Sequence, residues 1–480
     1  MHAPNIEPRS VVLFGHQFHD VTFKEAVKWA VSRIRSGPPS YIATVNLDFV
    51  MQARRDPEMQ RILLEADLVT ADGDPLVRTS GLFGPSLRQR VTGSDLVPML
   101  ASECAREGLK IFLLGGAEGV AEKVADVLRG HNPGLKICGT YAPPVTGLIE
   151  MNHGEILRRL RLAKPDLLLV AFGAPKQEKF INLHFRSWGI PLAIGVGGTF
   201  DFIAGVQKRA PAVFQRCGFE WLWRLASHPR RLFRRYAENL VFLVRTLNRT
   251  RRMYWHSPRL SQVGESALDL GMAECGLLGR GRFIQLSMAE REWLSSEDLG
   301  RIVAVAARLR RRGGRLVLYG ATPILRQLLV EARLAGYLEL QANQSHAQAR
   351  VGQLLSGRAI GGLRFNGEHL VLRMPAECCV STLLRWRRTV QRGMARRPES
   401  VFLDAASSEY LDTAGVIWLL KFRKECFRKG VHFASGRFRG SAKRALVLAG
   451  VDDLFGPQAE VPARSRQLIF RVTGADSTLG

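Results

Sequence analysis

Four short polar clusters in the first 210 residues have the residue types that proton transfer and phosphate binding require. Thr44-Val45-Asn46 and Ala71-Asp72-Gly73-Asp74-Pro75 each close an apolar run, so each reads as the loop at the carboxyl end of a strand. In open α/β sheets those ends face the crevice where ligands bind, and the two loops can converge there. The Asp72 cluster is equally well composed as a plain turn, because Asp, Gly and Pro are what turns need. Arg90-Val91-Thr92-Gly93-Ser94-Asp95 precedes a helix-like stretch at 96–107. Thr92 or Ser94 can cap that helix; the same capped start suits a phosphate, with Arg90 adding positive charge. Phe172-Gly173-Ala174-Pro175-Lys176-Gln177-Glu178 follows the most apolar run, and Gly195-Val196-Gly197-Gly198-Thr199-Phe200-Asp201 follows the next. Glycines directly after a strand let the backbone approach a diphosphate closely.

The elements that must hold these clusters alternate. Short, continuously apolar runs begin at Tyr41, Leu68, Lys110, Lys136, Asp166 and Leu192, as strands covered on both faces would. Between them, 48–65 and 119–129 carry helical spacing. The pattern predicts an α/β, Rossmann-like domain with a mainly parallel sheet.

The chain has 480 residues and a formal charge of +26, with 46% hydrophobic residues, which excludes a disordered or fibrous protein and implies several globular domains. Seven scattered cysteines without a C-x-x-C pair suggest neither a disulfide framework nor a zinc site. Nine arginines (224, 230, 231, 234, 235, 245, 249, 251, 252) are interleaved with Trp221, Trp223, Phe233, Tyr236 and Phe242. Such a segment suits an anionic membrane surface, nucleic acid or plain solvation; no nucleic-acid-binding motif accompanies it, so no nucleic-acid partner is expected. No secretory signal opens the chain and no apolar stretch reaches the roughly 18 residues that span a bilayer. The expectation is a cytoplasmic protein attached peripherally to the inner face of the cell membrane.

Residues 257–281, rich in Gly and Ser, read as a linker. Beyond it the chain aligns with itself at an offset of 117 residues, Ile284-Gln285-Leu286 with Val401-Phe402-Leu403 and Arg310-Arg311-Arg312-Gly313 with Phe427-Arg428-Lys429-Gly430. A period this long predicts a pair of domain-sized modules.

Over about residues 10–250 the ordered motifs, including Thr44-Val45-Asn46, Asp72-Gly73, Arg90-Val91-Thr92-Gly93-Ser94-Asp95, Phe112-Leu113-Leu114-Gly115-Gly116, Phe172–Glu178 and Arg209-Ala210-Pro211, resemble the WecG/TagA/CpsF glycosyltransferases. The resemblance implies transfer of a sugar, often N-acetylmannosamine, from a UDP-sugar donor onto a polyprenyl-diphosphate-linked acceptor, with inversion and with no metal or other cofactor. It places Asp72 as catalytic base and Thr44 at the reaction centre. The substrate-binding set becomes Asn46, Arg90, Thr92, Gly93, Ser94, Gly115, Gly116, Lys176, Gln177, Glu178, Gly197, Gly198 and Asp201. Asp74 departs from the small apolar residue of many relatives. Trp221, Trp223, Arg230, Arg231, Arg234 and Arg235 match the family's membrane-contacting appendage.

The duplicated half resembles STAS domains, the second copy through Val401-Phe402-Leu403-Asp404 and Leu411-Asp412-Thr413-Ala414-Gly415, the first more loosely. Thr413 holds the place phosphorylated in some relatives, and Ser296 its counterpart; a protein partner is implied. The expected organisation is a transferase domain at 1–215, the appendage at 216–256, the linker, a degenerate STAS-like module at 282–350 and a STAS-like domain at 362–460. The expected role is exopolysaccharide or other surface-glycan synthesis under STAS regulation. The competing reading is a non-catalytic STAS regulator carrying an inactive transferase fold.

Overall fold

After a hairpin of β1 (Ser10–Leu13) and β2 (His16–His19), the computed structural model builds one six-stranded, wholly parallel sheet. It contains β3 (Ser40–Val45), β4 (Leu68–Ala71), β5 (Lys110–Gly115), β6 (Lys136–Tyr141), β7 (Leu167–Ala171) and β8 (Leu192–Gly195), in the order β4-β3-β8-β7-β5-β6. The structure describes residues 8–82, 86–207, 210–211, 214, 220–227, 229–255, 283–289, 291, 294–311, 313–355 and 361–455. The predicted linker at 257–281 and Arg209 lie outside these residues, as do the side chains of Trp221 and Arg231.

Side chains alternate across the pleat, so each strand feeds two cores. Tyr41, Ala43 and Val45 enter one core, with Phe49 and Val50 of α2 (Leu47–Arg55), Ile62 of α3 (Pro57–Glu65), Ile156 of α7 (His153–Ala163) and Phe180 of α8 (Lys176–His184). Ile42 enters the other, with Ala26 of α1 (Phe23–Ser36), Leu96 of α5 (Gly93–Glu107), Val124 of α6 (Val120–His131) and Phe200 of α9 (Thr199–Ile203). This double cover explains why the strands read as unbroken apolar runs. The single helix expected over 48–65 is corrected to two: Pro57 disfavours helical backbone at Asp56, so α2 stops and α3 restarts with the proline in its first turn.

The basic segment forms α10 (Glu220–Ser227) and α11 (Pro229–Trp255). The latter lies along α2: Asn239 Nδ2 donates to Asp48 Oδ1 at 2.7 Å, Arg235 pairs with Asp48 Oδ2, and Arg55 pairs with Glu238 at 2.9 Å. Among the described residues no helix is long and apolar enough to cross a membrane.

The described residues divide into two compact units, those up to Arg55 with Met59–Ala342, and Asp56–Glu58 with those from Asn343 onward. In the first, Phe283–Ser287, Arg315–Tyr319 and Glu339–Gln341 form a separate three-stranded parallel sheet, and its helix Ser296–Arg311 packs on Val12 and Leu64 in a third core. In the second, Gly362–Asn366, His369–Arg373, Ser400–Asp404 and His432–Ser435 form a four-stranded sheet whose first pair alone is antiparallel.

The 117-residue offset maps these sets onto each other: Phe283–Ser287 onto Ser400–Asp404, Ser296–Arg311 onto Thr413–Arg428, and Pro323–Glu331 onto Gly440–Leu448. Register agrees too, Arg315 opposing Phe283 as His432 opposes Ser400. Among the described residues the first set has no counterpart of the antiparallel opening strands, and it buries its helix within the first unit, so what is described is a partial copy.

Candidate active site

The crevice at the carboxyl ends of β3, β4, β5, β7 and β8 gathers the predicted loops. Asp72 follows β4, and its N–H donates to Val45 O at 2.8 Å, fixing the two loops side by side. Thr44 is 5% exposed, and its hydroxyl donates to Gly195 O at 3.4 Å. The side-chain oxygen of Asn46 accepts from the N–H groups of Asp48 and Phe49, capping α2.

The start of α5 is tied to β4 by Val91 N–H to Ala71 O and Thr70 Oγ1 to Val91 O, both 3.0 Å. Thr92 is its cap: Oγ1 accepts from Asp95 N–H at 3.2 Å and lies 3.1 Å from Ser94 Oγ. Thr92 therefore caps α5, and the positive end of that helix's dipole starts next to the strand β4 that carries the Asp72 loop. Gly93 is there for close approach: a Cβ at this position would sit 3.3 Å from both Thr44 Oγ1 and Thr199 Oγ1. Arg90 Nη1 reaches Asp74 Oδ2 at 3.2 Å.

Gln177, 1% exposed, works as a clamp between two glycine loops, its Oε1 accepting Gly173 N–H at 3.1 Å and Gly197 N–H at 3.0 Å. Its Nε2 donates to Glu178 Oε1 at 2.7 Å. A Cβ at Gly195 would meet Gln177 Nε2 at 2.7 Å and Glu178 Oε1 at 2.8 Å, so a side chain there would push the bonded Gln177–Glu178 pair aside. Burial lifts the Glu178 carboxyl to about 7, the bond from Gln177 opposing that shift, and Glu178 Oε2 has no partner. Lys176 turns toward the chain after β6, donating to Thr146 O at 2.6 Å; burial lowers its ammonium below the ordinary range, with Glu150 pulling it upward. Burial raises the Asp201 carboxyl, on α9 just after Gly198. Gly115 ends β5 and Gly116 follows it, its N–H donating to Ala171 O at 2.9 Å. Among the described residues no group of three or more His, Cys, Asp or Glu side chains gathers to hold a metal ion.

Three residues outside the expected binding set also contribute. Thr199 faces Thr44 across Gly93, and its signal lay within the Gly197-Gly198-Thr199 motif. Asp74 partners Arg90. Asp48 anchors α11 beside the Asn46 loop through a residue 191 positions away, a separation that leaves no local signal. In the second unit, Asp412 caps the helix Thr413–Arg428, while Thr413 N–H and Oγ1 donate to the Glu58 carboxylate at 2.8 and 2.7 Å. Ser296, the first-copy counterpart, is 5% exposed and its Oγ has no partner.

A doubly covered parallel sheet whose carboxyl ends bring together an acid, buried hydroxyls, a guanidinium and a helix start is an α/β arrangement with the groups that anion binding uses. The chain belongs to the WecG/TagA/CpsF glycosyl transferase family, whose model matches residues 11–255. It is 31% identical over 192 residues (40% of this chain, 73% of the relative) to an N-acetylglucosaminyldiphosphoundecaprenol N-acetyl-beta-D-mannosaminyltransferase of Bacillus spizizenii. It is 28% identical over 194 residues (40% and 74%) to the protein of the same description from Staphylococcus aureus strain MW2. A STAS domain model matches residues 363–467 once, correcting the expected tandem pair to a single STAS domain.

Proposed function

We propose that this protein transfers a hexose (N-acetylmannosamine, its uronic acid or another hexose) from UDP to a saccharide linked to polyprenyl diphosphate, in exopolysaccharide or other surface-glycan synthesis. The observation that carries the reading is the placement of Asp72 against the Thr44 loop beside the α5 N-terminus. Asp72 takes the proton of the acceptor hydroxyl, whose oxygen attacks the anomeric carbon as the bond to the UDP diphosphate breaks. A single displacement inverts the anomeric centre. The departing diphosphate is met by Arg90 and by N–H groups at the start of α5, which supply stabilisation without a metal. Thr44 and Thr199 flank the reaction centre, while Gln177 holds the glycine loops.

Attachment to the anionic inner membrane surface is assigned to α11. Phe233, Leu240, Val241 and Val244 are 67, 62, 47 and 47% exposed at helical spacing, with Arg230 and Arg234 exposed on the same helix. Arg235 serves a different end, bracing Asp48. The STAS domain is the protein-partner module. Phosphorylation at Thr413 would require the hydroxyl to leave Glu58.

The test is incubation of the full chain with a panel of UDP-sugars and short-chain polyprenyl-diphosphate saccharides, read by product mass, with and without EDTA. A product of acceptor plus one hexose, formed equally in EDTA, is expected; no product with any pair sinks the reading, and metal-dependent product sinks its metal-free part.

A further inference from the structure

We propose that the groove between α2 and α11 seats the prenyl chain of the lipid-linked acceptor. The groove has a volume of about 670 Å³, in the range of small-molecule sites, and Met51, Phe233, Val241 and Phe242 give it an apolar lining. Arg54, Arg55, Arg234 and Arg245 also line it, against one acid, Glu238. Hydrocarbon suits the apolar lining and an anion suits the guanidinium groups, so the occupant joins an apolar chain to a phosphate.

Position selects the prenyl diphosphate over a bulk phospholipid. Helix α2 begins one residue after Asn46, and at 1.5 Å per residue Met51 lies about 8 Å and Arg55 about 14 Å further along its axis. The groove thus leads away from the catalytic loop at a distance comparable to one sugar and a diphosphate. Its wall is fixed to that loop by Asn239 and Arg235 on Asp48. Phe233 and Val241 belong both to the groove and to the exposed stripe of α11, so a chain leaving the groove emerges on the face assigned to the bilayer. This inference rests on the proposed acceptor class.

The test uses the full chain and a short prenyl diphosphate carrying a benzophenone. Labelling is expected on the peptides containing Met51 and Phe233, competed by unlabelled prenyl diphosphate and not by phosphatidylglycerol vesicles. Ala237→Trp, an exposed groove position, should cut labelling at least fivefold, whereas Val145→Trp, at a 97% exposed site elsewhere, should leave it unchanged. Arg245→Glu should weaken labelling several-fold, and it decides the matter if Ala237→Trp fails to fold by circular dichroism. Label placed elsewhere, competition by phosphatidylglycerol, or full labelling of a folded groove variant overturns the proposal. Because the readout is binding, a protein that labels in the groove yet transfers no sugar loses the catalytic reading alone; one that transfers sugar with an unlabelled groove loses only this inference.

Discussion

Arg90 and Asp74 form an ion pair of 3.2 Å at the mouth of the crevice, with side chains 20 and 24% exposed. Asp74 therefore holds the guanidinium beside the Asp72 loop and offsets part of its charge, so the diphosphate of the proposed donor would have to compete with it. A partly exposed pair of this kind contributes on the order of 0.5–1 kcal/mol. Asp74→Ala should tighten UDP binding by roughly two- to fivefold and Arg90→Ala should weaken it about tenfold or more, by calorimetric titration. Unchanged affinity in both variants would remove Arg90 from diphosphate recognition.

Asp72→Asn keeps the size of the side chain and removes its basicity. Turnover should fall roughly 10²–10⁴-fold while UDP binding survives. Near-native turnover would exclude Asp72 as the base.

Gln177→Ala strips the acceptor from two glycine N–H groups and the donor from Glu178. Stability should drop by about 2–4 kcal/mol in urea unfolding, and UDP affinity should drop with it as the two loops loosen. Retention of both would make the clamp dispensable.

Glu178 carries a pH signature. Its folded carboxyl titrates near 7 against 4.5 for the free side chain, so the unfolded chain ionises first. Its contribution to stability is complete below pH 4.5, declines between 4.5 and 7, and is flat above. The loss is on the order of 3 kcal/mol. Glu178→Gln should flatten that window and melt higher than the native chain at pH 7.5; an unaltered pH profile would show that the carboxyl ionises freely in the fold.

Thr413→Glu sets a second carboxylate against Glu58 in a buried site, where like charges are poorly screened. The second unit should melt several degrees lower, whereas Thr413→Ser should melt near native. Equal melting of the glutamate variant would mean that this contact tolerates a phosphate's charge.

The parallel sheet was legible because its strands are covered on both faces, and double burial writes itself into the chain as unbroken apolar runs. The loops after Val45, Ala71, Ala171 and Gly195 were legible for a related reason: parallel strands put their carboxyl ends on one side, so polar residues ending each run must share a crevice. The 117-residue offset likewise survived into structure, since the paired strands and helices fall at the same spacing and register.

What each polar group does inside that crevice was decided only by the tertiary structure. Gln177 has the composition of a ligand residue and acts as a clamp, because folding brings Gly197 to within 3.0 Å of the oxygen that also holds Gly173. Asp48 and Asn239 meet across 191 residues, and Arg235, one of a row of like arginines, is paired with Asp48 by the packing of α11 on α2. The partial copy at 283–341 repeats the STAS elements, yet the burial of Leu299 and Ile302 against Val12 and Leu64 places it in the first unit. Local sequence sets periodicity, caps and strand ends through short-range sterics and hydrogen bonds. Which donor meets which acceptor depends on contacts between segments far apart in the chain, and those exist only once the apolar faces have packed.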